Sequence, residues 1–378
     1  IAWGITNMGP DVQDLFIEAG NPDDTTQYMY QDEWLNFEII PQTIRIKDSE
    51  EEDGFRIEEF ENRKTIHGPI VKEDEELLAL SWTGHQFDGE MEAFYRLNHA
   101  QDWGEFSLAL SHFSTAPQNF VYADIEGNIG YYGAGKVPIR KSGSGIFPVP
   151  GWSGEFDWEG YIPFEDMPHI YNPEGGMIVS ANAEPYSAGY PYPMPGVYAP
   201  DYRTRRIKDL IESKEKLSLD DMAIFQFDRK SYLAPVFLKY LIPVIPESHQ
   251  DVKNLMETWD HELDQNGVEG SIYHETMETF LRLIWVDDMG LELAEKYLDT
   301  WYISLNRWVK MLEDNENPWY DIVETATMET RDVLLLDAFM TAMTSLEQKF
   351  ESDDFKTWEW GVIHNIAFHH PFEAKGGL

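Results

Sequence analysis

Few residue types in this sequence can do chemistry. Cysteine is absent, which removes thiol nucleophiles, disulfides and zinc–thiolate sites. Asn182 stands in "GGMIVSANAEP". Met177, Ile178 and Val179 read as a buried strand that ends on this asparagine and turns at Glu184-Pro185. A carboxamide at a strand exit is either a turn former or a donor aimed at something. Asp11 and Asp14 lie three apart with Gln13 between them. Hard oxygen ligands at that spacing suit calcium, and the same pattern also describes two surface aspartates. His67, His364, His369 and His370 lack the regular spacing of a zinc site. Ser81, Ser111 and Ser180 are internal to the chain, so none carries a free α-amine.

The elements that must position these groups follow from hydrophobic period. Residues 1–75 read as β, with a turn at His67-Gly68-Pro69 and an acidic solvated loop at "DSEEEDG". "ELLALSWTG" reads as a buried strand. The spacing over 90–113 predicts two short helices separated by a turn. "NFVYADIEGNIGYYGAG" predicts a hairpin turning at Glu126-Gly127-Asn128. A Gly- and Pro-rich tract follows, too apolar for a linker, and reads as an ordered loop packed by its Trp and Phe residues. From Arg203 the period is helical, with Ser218 as an N-cap and Asp221 three residues on. "WEWGVIHNIAFHHP" reads as β again. The expected organisation is a sheet region over 1–202, a helical segment over 203–354, and a strand over 355–378 returning to the core.

The chain has 378 residues, 42% of them hydrophobic and 14% aromatic, ample for a packed core. Asp and Glu number 69 against 28 Lys and Arg, a net charge of −41. That balance disfavours nucleic acid and anionic membranes as partners, because phosphate contacts need clustered basic residues. A carboxylate-covered surface suits a high-salt, halophilic setting, where screening relieves repulsion. No apolar run reaches the roughly 18 residues of a membrane helix. The opening Ile1-Ala2-Trp3-Gly4 reads as a strand entered halfway, so the sequence is expected to be a fragment.

The tracts "TNMGPDVQDLF", "IHGPIV", "LSWTG", "PQNFVYADIEGNIGYYGAG", "FDWEGYIPFEDMPHIYNPEGGMIVSANAEP", "YRTRRI" and "WGVIHNIAFHHP" occur in one order. Together they resemble the large β chain of the penicillin acylase (penicillin amidase) family of N-terminal nucleophile hydrolases. The likeness is densest from Asn119 to Pro185 and weakest in the acidic helical middle. It implies an α+β fold, a four-layer αββα sandwich with a helical insertion. It also implies a self-cleaving precursor whose new N-terminal serine attacks linear amides, its own α-amine acting as base.

That serine is absent here, so the resemblance implies a chain inactive by itself. Its partners would be a small α chain and the missing N-terminal part of the β chain, both from the same precursor. By position, Asn182 and the backbone N–H of Asn7 match the oxyanion donors. Arg203 matches an arginine at the site's mouth, able to hold a substrate carboxylate or steady the asparagine. Ile5, Trp82 and Gln118 match the acyl pocket. Asp11, Gln13, Asp14 and Gly145 match a structural calcium site completed by the small chain. The implied substrates are N-acyl amides, penicillins and acyl-homoserine lactones among them. The implied location is extracytoplasmic. A non-catalytic relative that binds amides or a partner is the alternative. A saccharide-binding reading, prompted by the many Trp and Tyr residues, predicts aromatics on an exposed face.

Overall fold

Strand β1 (Ala2–Asn7) enters the fold at the edge of a small sheet. The coordinates are a computed structural model describing residues 1–48, 54–73, 76–85 and 89–369. In chain order, β1 is followed by β2 (Gln13–Glu18), β3 (Gln27–Tyr30), β4 (Glu33–Asn36), β5 (Glu38–Lys47), β6 (Phe55–Thr65), β7 (Gly68–Lys72) and β8 (Leu77–Trp82). Helices α1 (Glu90–Leu97) and α2 (Trp103–Leu110) come next. Then come β9 (Gln118–Ala123), β10 (Ile129–Ala134), β11 (Pro138–Arg140), β12 (Val149–Pro150), β13 (Trp158–Tyr161) and β14 (His169–Tyr171). The centre of the acidic loop, residues 49–53, lies outside the described residues.

Two sheets carry candidate site residues: Ile5, Asn7 and Gln118 in one, Gln13, Asp14 and Trp82 in the other. One has the order β1-β9-β10-β14, the other β12-β2-β8-β7-β6-β5. The expected hairpin is β9–β10. Asp124 closes its turn by accepting from the backbone N–H groups of Glu126 and Asn128, each at 2.9 Å, and from the Asn128 amide and Tyr122 hydroxyl. Those donors, the Asn128 amide foremost, hold the Asp124 carboxyl down at about 2. β1 then pairs antiparallel with β9, setting Asn7 opposite Gln118 and Thr6 opposite Asn119. Alternation puts Trp3, Ile5, Phe120 and Tyr122 on one face of the sheet and Thr6, Asn119 and Tyr131 on the other. The first face meets the two predicted helices, whose Leu97, Phe106 and Leu110 are fully buried in one cluster with Phe120 and Tyr122.

The chain divides into two compact units, Ile1–Ala199 and Pro200–Leu378. The second is helical: α3 (Tyr202–Glu212), α4 (Leu219–Gln226), α5 (Ala234–Val244), α6 (Gln250–Thr258), α7 (Glu269–Met289), α8 (Leu291–Asp299), α9 (Trp301–Met311), α10 (Arg331–Phe350) and α11 (Trp360–Ile363). The capping box at Ser218 and Asp221 starts α4 as its spacing predicts.

Two expectations fail. Met177 to Ser180 form no strand ladder and are only half-buried; the side chains of Ser180 and Asn182, described below, make the bonds at its end instead of backbone pairing. The expected C-terminal strand is also absent over the described residues 355–369, where a short turn at Phe355–Thr357 and helix α11 stand instead. Trp358 and Trp360, spaced like strand residues, dock on the helical unit. Trp358 is 2% exposed in its core, and Trp360 stacks on His274 of α7 with ring centroids 4.6 Å apart. His370 and the residues after it lie outside the described range.

Candidate active site

The C-terminal end of β1 gathers polar side chains from three separate parts of the first unit. Asn182 is half-buried with a left-handed backbone, φ +63°. Its Nδ2 donates to the Asn7 carbonyl at 2.9 Å, and its own carbonyl accepts from the Ala199 N–H at 2.8 Å. Ser180 Oγ lies 2.5 Å from Thr6 Oγ1. From β9, Asn119 Nδ2 donates to the same Asn7 carbonyl at 3.0 Å and to Thr6 Oγ1 at 3.2 Å. From β10, the Tyr131 hydroxyl donates to Asn119 Oδ1 at 2.7 Å. Burial raises the Tyr131 pKa, so the hydroxyl keeps its proton to donate. Asn182 and the Asn7 backbone are therefore in direct contact, although the two residues are 175 apart in sequence.

Asn119, Tyr131, Thr6 and Ser180 join this cluster; all four lie within the matched tracts, but the resemblance assigns none of them a role in the site. The usable signal was the hairpin turn, whose register places Asn119 opposite Gly133 and on the Tyr131 face.

Of the acyl-pocket candidates, Ile5 and Gln118 share one face of the sheet, with Ile5 45% exposed. Trp82 belongs to the other sheet, where it lines a cleft of about 430 Å³ with His67, Ser81, Asp157, Trp158 and Tyr161. Phe94 of α1, with its ring centroid 6.0 Å from that of Trp3, is one of several aromatics packed on the Ile5 face, with Phe106 on Tyr122 and Phe113 on Phe120.

Asp11, Gln13, Asp14 and Gly145 do come together, around Arg140. Arg140 donates from Nε and Nη2 to both Asp14 oxygens and from Nη2 to the Asp11 carbonyl. Trp158 Nε1 donates to Asp14 Oδ2 at 2.7 Å. The Gln13 N–H donates to Asp11 Oδ1. A Cβ at Gly145 would come within 2.8 Å of Asp11 Oδ2 and closer still to Asp14 Oδ1. Burial raises the Asp11 pKa despite the Gln13 N–H and Arg140. Two carboxylates against one guanidinium leave a negative balance, so charge and oxygen chemistry fit a hard cation. Against it, Asp14 is already engaged, and among the described residues no three acids or histidines are grouped to hold a metal.

The histidines have other partners. His67 lies between Glu18 (Nδ1, 2.8 Å) and Asp157 (Nε2, 3.2 Å) and stacks on Phe16. His364 stacks on Trp360. Arg203 belongs to the helical unit, where its Nη2 donates to the Tyr302 hydroxyl at 2.9 Å. It lines a cleft of about 340 Å³ with Arg206, Asp228, Lys230 and Tyr232.

The penicillin amidase family model matches residues 1–377. The acyl-homoserine lactone acylase QuiP of Pseudomonas fluorescens is 25% identical over 398 residues, covering 97% of this chain and 48% of that protein. Penicillin acylase 2 proenzyme of a Pseudomonas species is 29% identical across 78% of this chain and 38% of its own length. Penicillin G acylase of Escherichia coli is 31% identical across 64% of this chain and 28% of its own length. Among solved structures, a thermostable penicillin G acylase from Alcaligenes faecalis superposes with a TM-score of 0.75 at 21% identity, covering 94% of this chain and 69% of that one. The fold is thus α+β, that of the N-terminal nucleophile hydrolases. The chain spans about half the length of the QuiP relative it matches.

Proposed function

Because the chain belongs to the penicillin amidase family, we propose that it carries the oxyanion-binding half of an amidohydrolase acting on linear N-acyl amides. One observation carries this reading: the Asn182 amide nitrogen lies against the Asn7 backbone, 2.9 Å from its carbonyl. Donors fixed before charge develops stabilise a tetrahedral intermediate without reorganising, each by about 2.7–4 kcal/mol. The nucleophile is a serine outside this chain, at the start of the mature β chain of the same precursor. Its Oγ attacks the amide carbonyl while its α-amine, with a reference pKa of about 7.7–8.0, takes the hydroxyl proton. Charge on the former carbonyl oxygen is met by the Asn182 amide and the Asn7 N–H. The C–N bond then breaks, the amine leaves with the proton, and water hydrolyses the acyl-enzyme. The small α chain of the precursor completes the enzyme, and this chain alone is inactive.

Ile5 and Gln118 are proposed to form part of the acyl wall, and Trp82 is retained as a candidate. Phenylacetyl, fatty-acyl and acyl-homoserine lactone amides are the classes to test, since relatives bear both penicillin acylase and lactone acylase names. Arg203, whose guanidinium suits a carboxylate, is proposed to bind a carboxylate of the substrate. An extracytoplasmic location is part of the proposal; among the described residues no helix is long and apolar enough to cross a membrane.

The test is expression of the complete precursor in high salt. Self-cleavage into two chains, with hydrolysis of chromogenic phenylacetyl or fatty-acyl amides, supports the reading. Asn182→Ala should permit folding yet cut kcat about 10²–10³-fold; unchanged turnover removes Asn182 from the mechanism. A structural calcium held by Asp11, Gln13, Asp14 and Gly145 is proposed for folding or maturation, not chemistry. EGTA should lower the thermal midpoint and calcium restore it. An unaltered midpoint leaves Arg140 as the balancing cation.

A further inference from the structure

The tract where the likeness is densest, Asn119 to Pro185, also holds Asn119 and Tyr131, which the proposed mechanism does not use. Asn119 is 2% exposed. The Asn7 carbonyl can only accept, so the Asn119 carboxamide must turn its nitrogen toward Asn7 and its oxygen toward β10. There the Tyr131 hydroxyl has no choice but to donate. Gly133, opposite Asn119 in register, leaves the space: a Cβ there would stand 3.1 Å from the Tyr131 hydroxyl. The direction of every bond in the series Tyr131 to Asn119 to the Asn7 carbonyl is therefore fixed.

That carbonyl has two lone pairs, and the two carboxamides of Asn119 and Asn182 both donate to it. The position of Asn182 depends on where the carbonyl sits, and the carbonyl is held from the opposite strand by Asn119. We propose that Asn119 and Tyr131 are positioning residues of the oxyanion site: Asn119 clamps the Asn7 peptide so that its backbone and the Asn182 amide hold one geometry, and Tyr131 locks the Asn119 carboxamide in the donating orientation. This rests on the amidohydrolase reading above.

The experiment uses the complete, self-cleaved enzyme that carries this chain, with active sites titrated so that only competent molecules are counted. Asn119→Ala should lower kcat roughly 10–10²-fold with KM within about twofold, the scale expected when a catalytic group is displaced without loss of binding. Tyr131→Phe removes one oxygen and keeps the ring, and should lower kcat about threefold to tenfold. The double variant should be no slower than Asn119→Ala alone, because the tyrosine acts only through the asparagine. A structural role would reduce the titrated fraction and leave kcat per active site in place. If both single variants keep kcat within twofold while Asn182→Ala loses about 10²-fold, the positioning proposal is wrong and the amidohydrolase reading stands. Additive losses in the double variant also overturn the relay. If Asn119→Ala does not accumulate, the Tyr131→Phe value decides by the same twofold criterion. If Asn182→Ala is as fast as the parent, or no amide is cleaved, the underlying reading fails and this one with it.

Discussion

Single residues in this chain are placed by who can donate to whom. Asn182 takes a left-handed backbone, which asparagine tolerates better than most residues, and gives an amide hydrogen to a carbonyl far away in sequence. His274, in the helical unit, is placed by its ring instead. It lies edge-on to Tyr273 and stacked on Trp360, and burial, with a smaller effect from His364, depresses its pKa to about 4. A folded-state pKa below the unfolded value of about 6.5 means the unfolded chain takes the proton more readily. The stability tied to neutral His274 is complete above about pH 6.5 and is lost as pH falls toward about 4. His274→Gln should flatten the denaturation midpoint across that window in urea titrations. Equal slopes in both proteins assign the acid sensitivity elsewhere.

At the scale of elements, glycines mark where backbone conformation decides. Gly127, at φ +87° in the β9–β10 turn, has nothing within 4 Å of an added Cβ. Gly127→Ala should therefore cost only the left-handed conformation, roughly 1–2 kcal/mol. Gly68, at φ +139°, would drive its Cβ to 1.9 Å from the Leu80 carbonyl oxygen, so Gly68→Ala should cost far more and leave little soluble protein. Chemical denaturation of the two variants, with equal losses as the refuting result, checks this.

Local pattern is legible at this scale and distant pairing is not. The hairpin, the helix pair α1–α2 and the α4 capping box depend on neighbouring residues, and local pattern predicted each. The Asn119–Asn7–Asn182 meeting depends on pairing between strands far apart in the chain, which no local window contains. Residues 177–180 misled because an apolar triplet looks the same whether or not it joins a ladder; here the bonds are made by the Ser180 and Asn182 side chains that follow it. The tail misled because Trp358 and Trp360 alternate like strand residues while docking on helices.

At the scale of the molecule, charge outweighs every other compositional feature. A balance of −41 over 378 residues gives self-repulsion that weakens once the Debye length falls to a few ångströms, about 3 Å at 1 M salt. Moving the protein from roughly 2 M to roughly 0.1 M KCl should lower its melting temperature by several degrees. A midpoint independent of salt removes the halophilic reading.

The pairing of β1 with β9 has a further consequence for anyone dissecting the chain. It joins residues more than a hundred positions apart, closing a long loop whose entropy must be met before this non-local pairing is rewarded. Asn182 reaches back to the same place and is itself tied to Ala199. The locus is indivisible: a truncation that omits Ala2–Asn7, the β9–β10 hairpin or the stretch through Ala199 removes a bonded member, and no shorter excerpt can stand in for it.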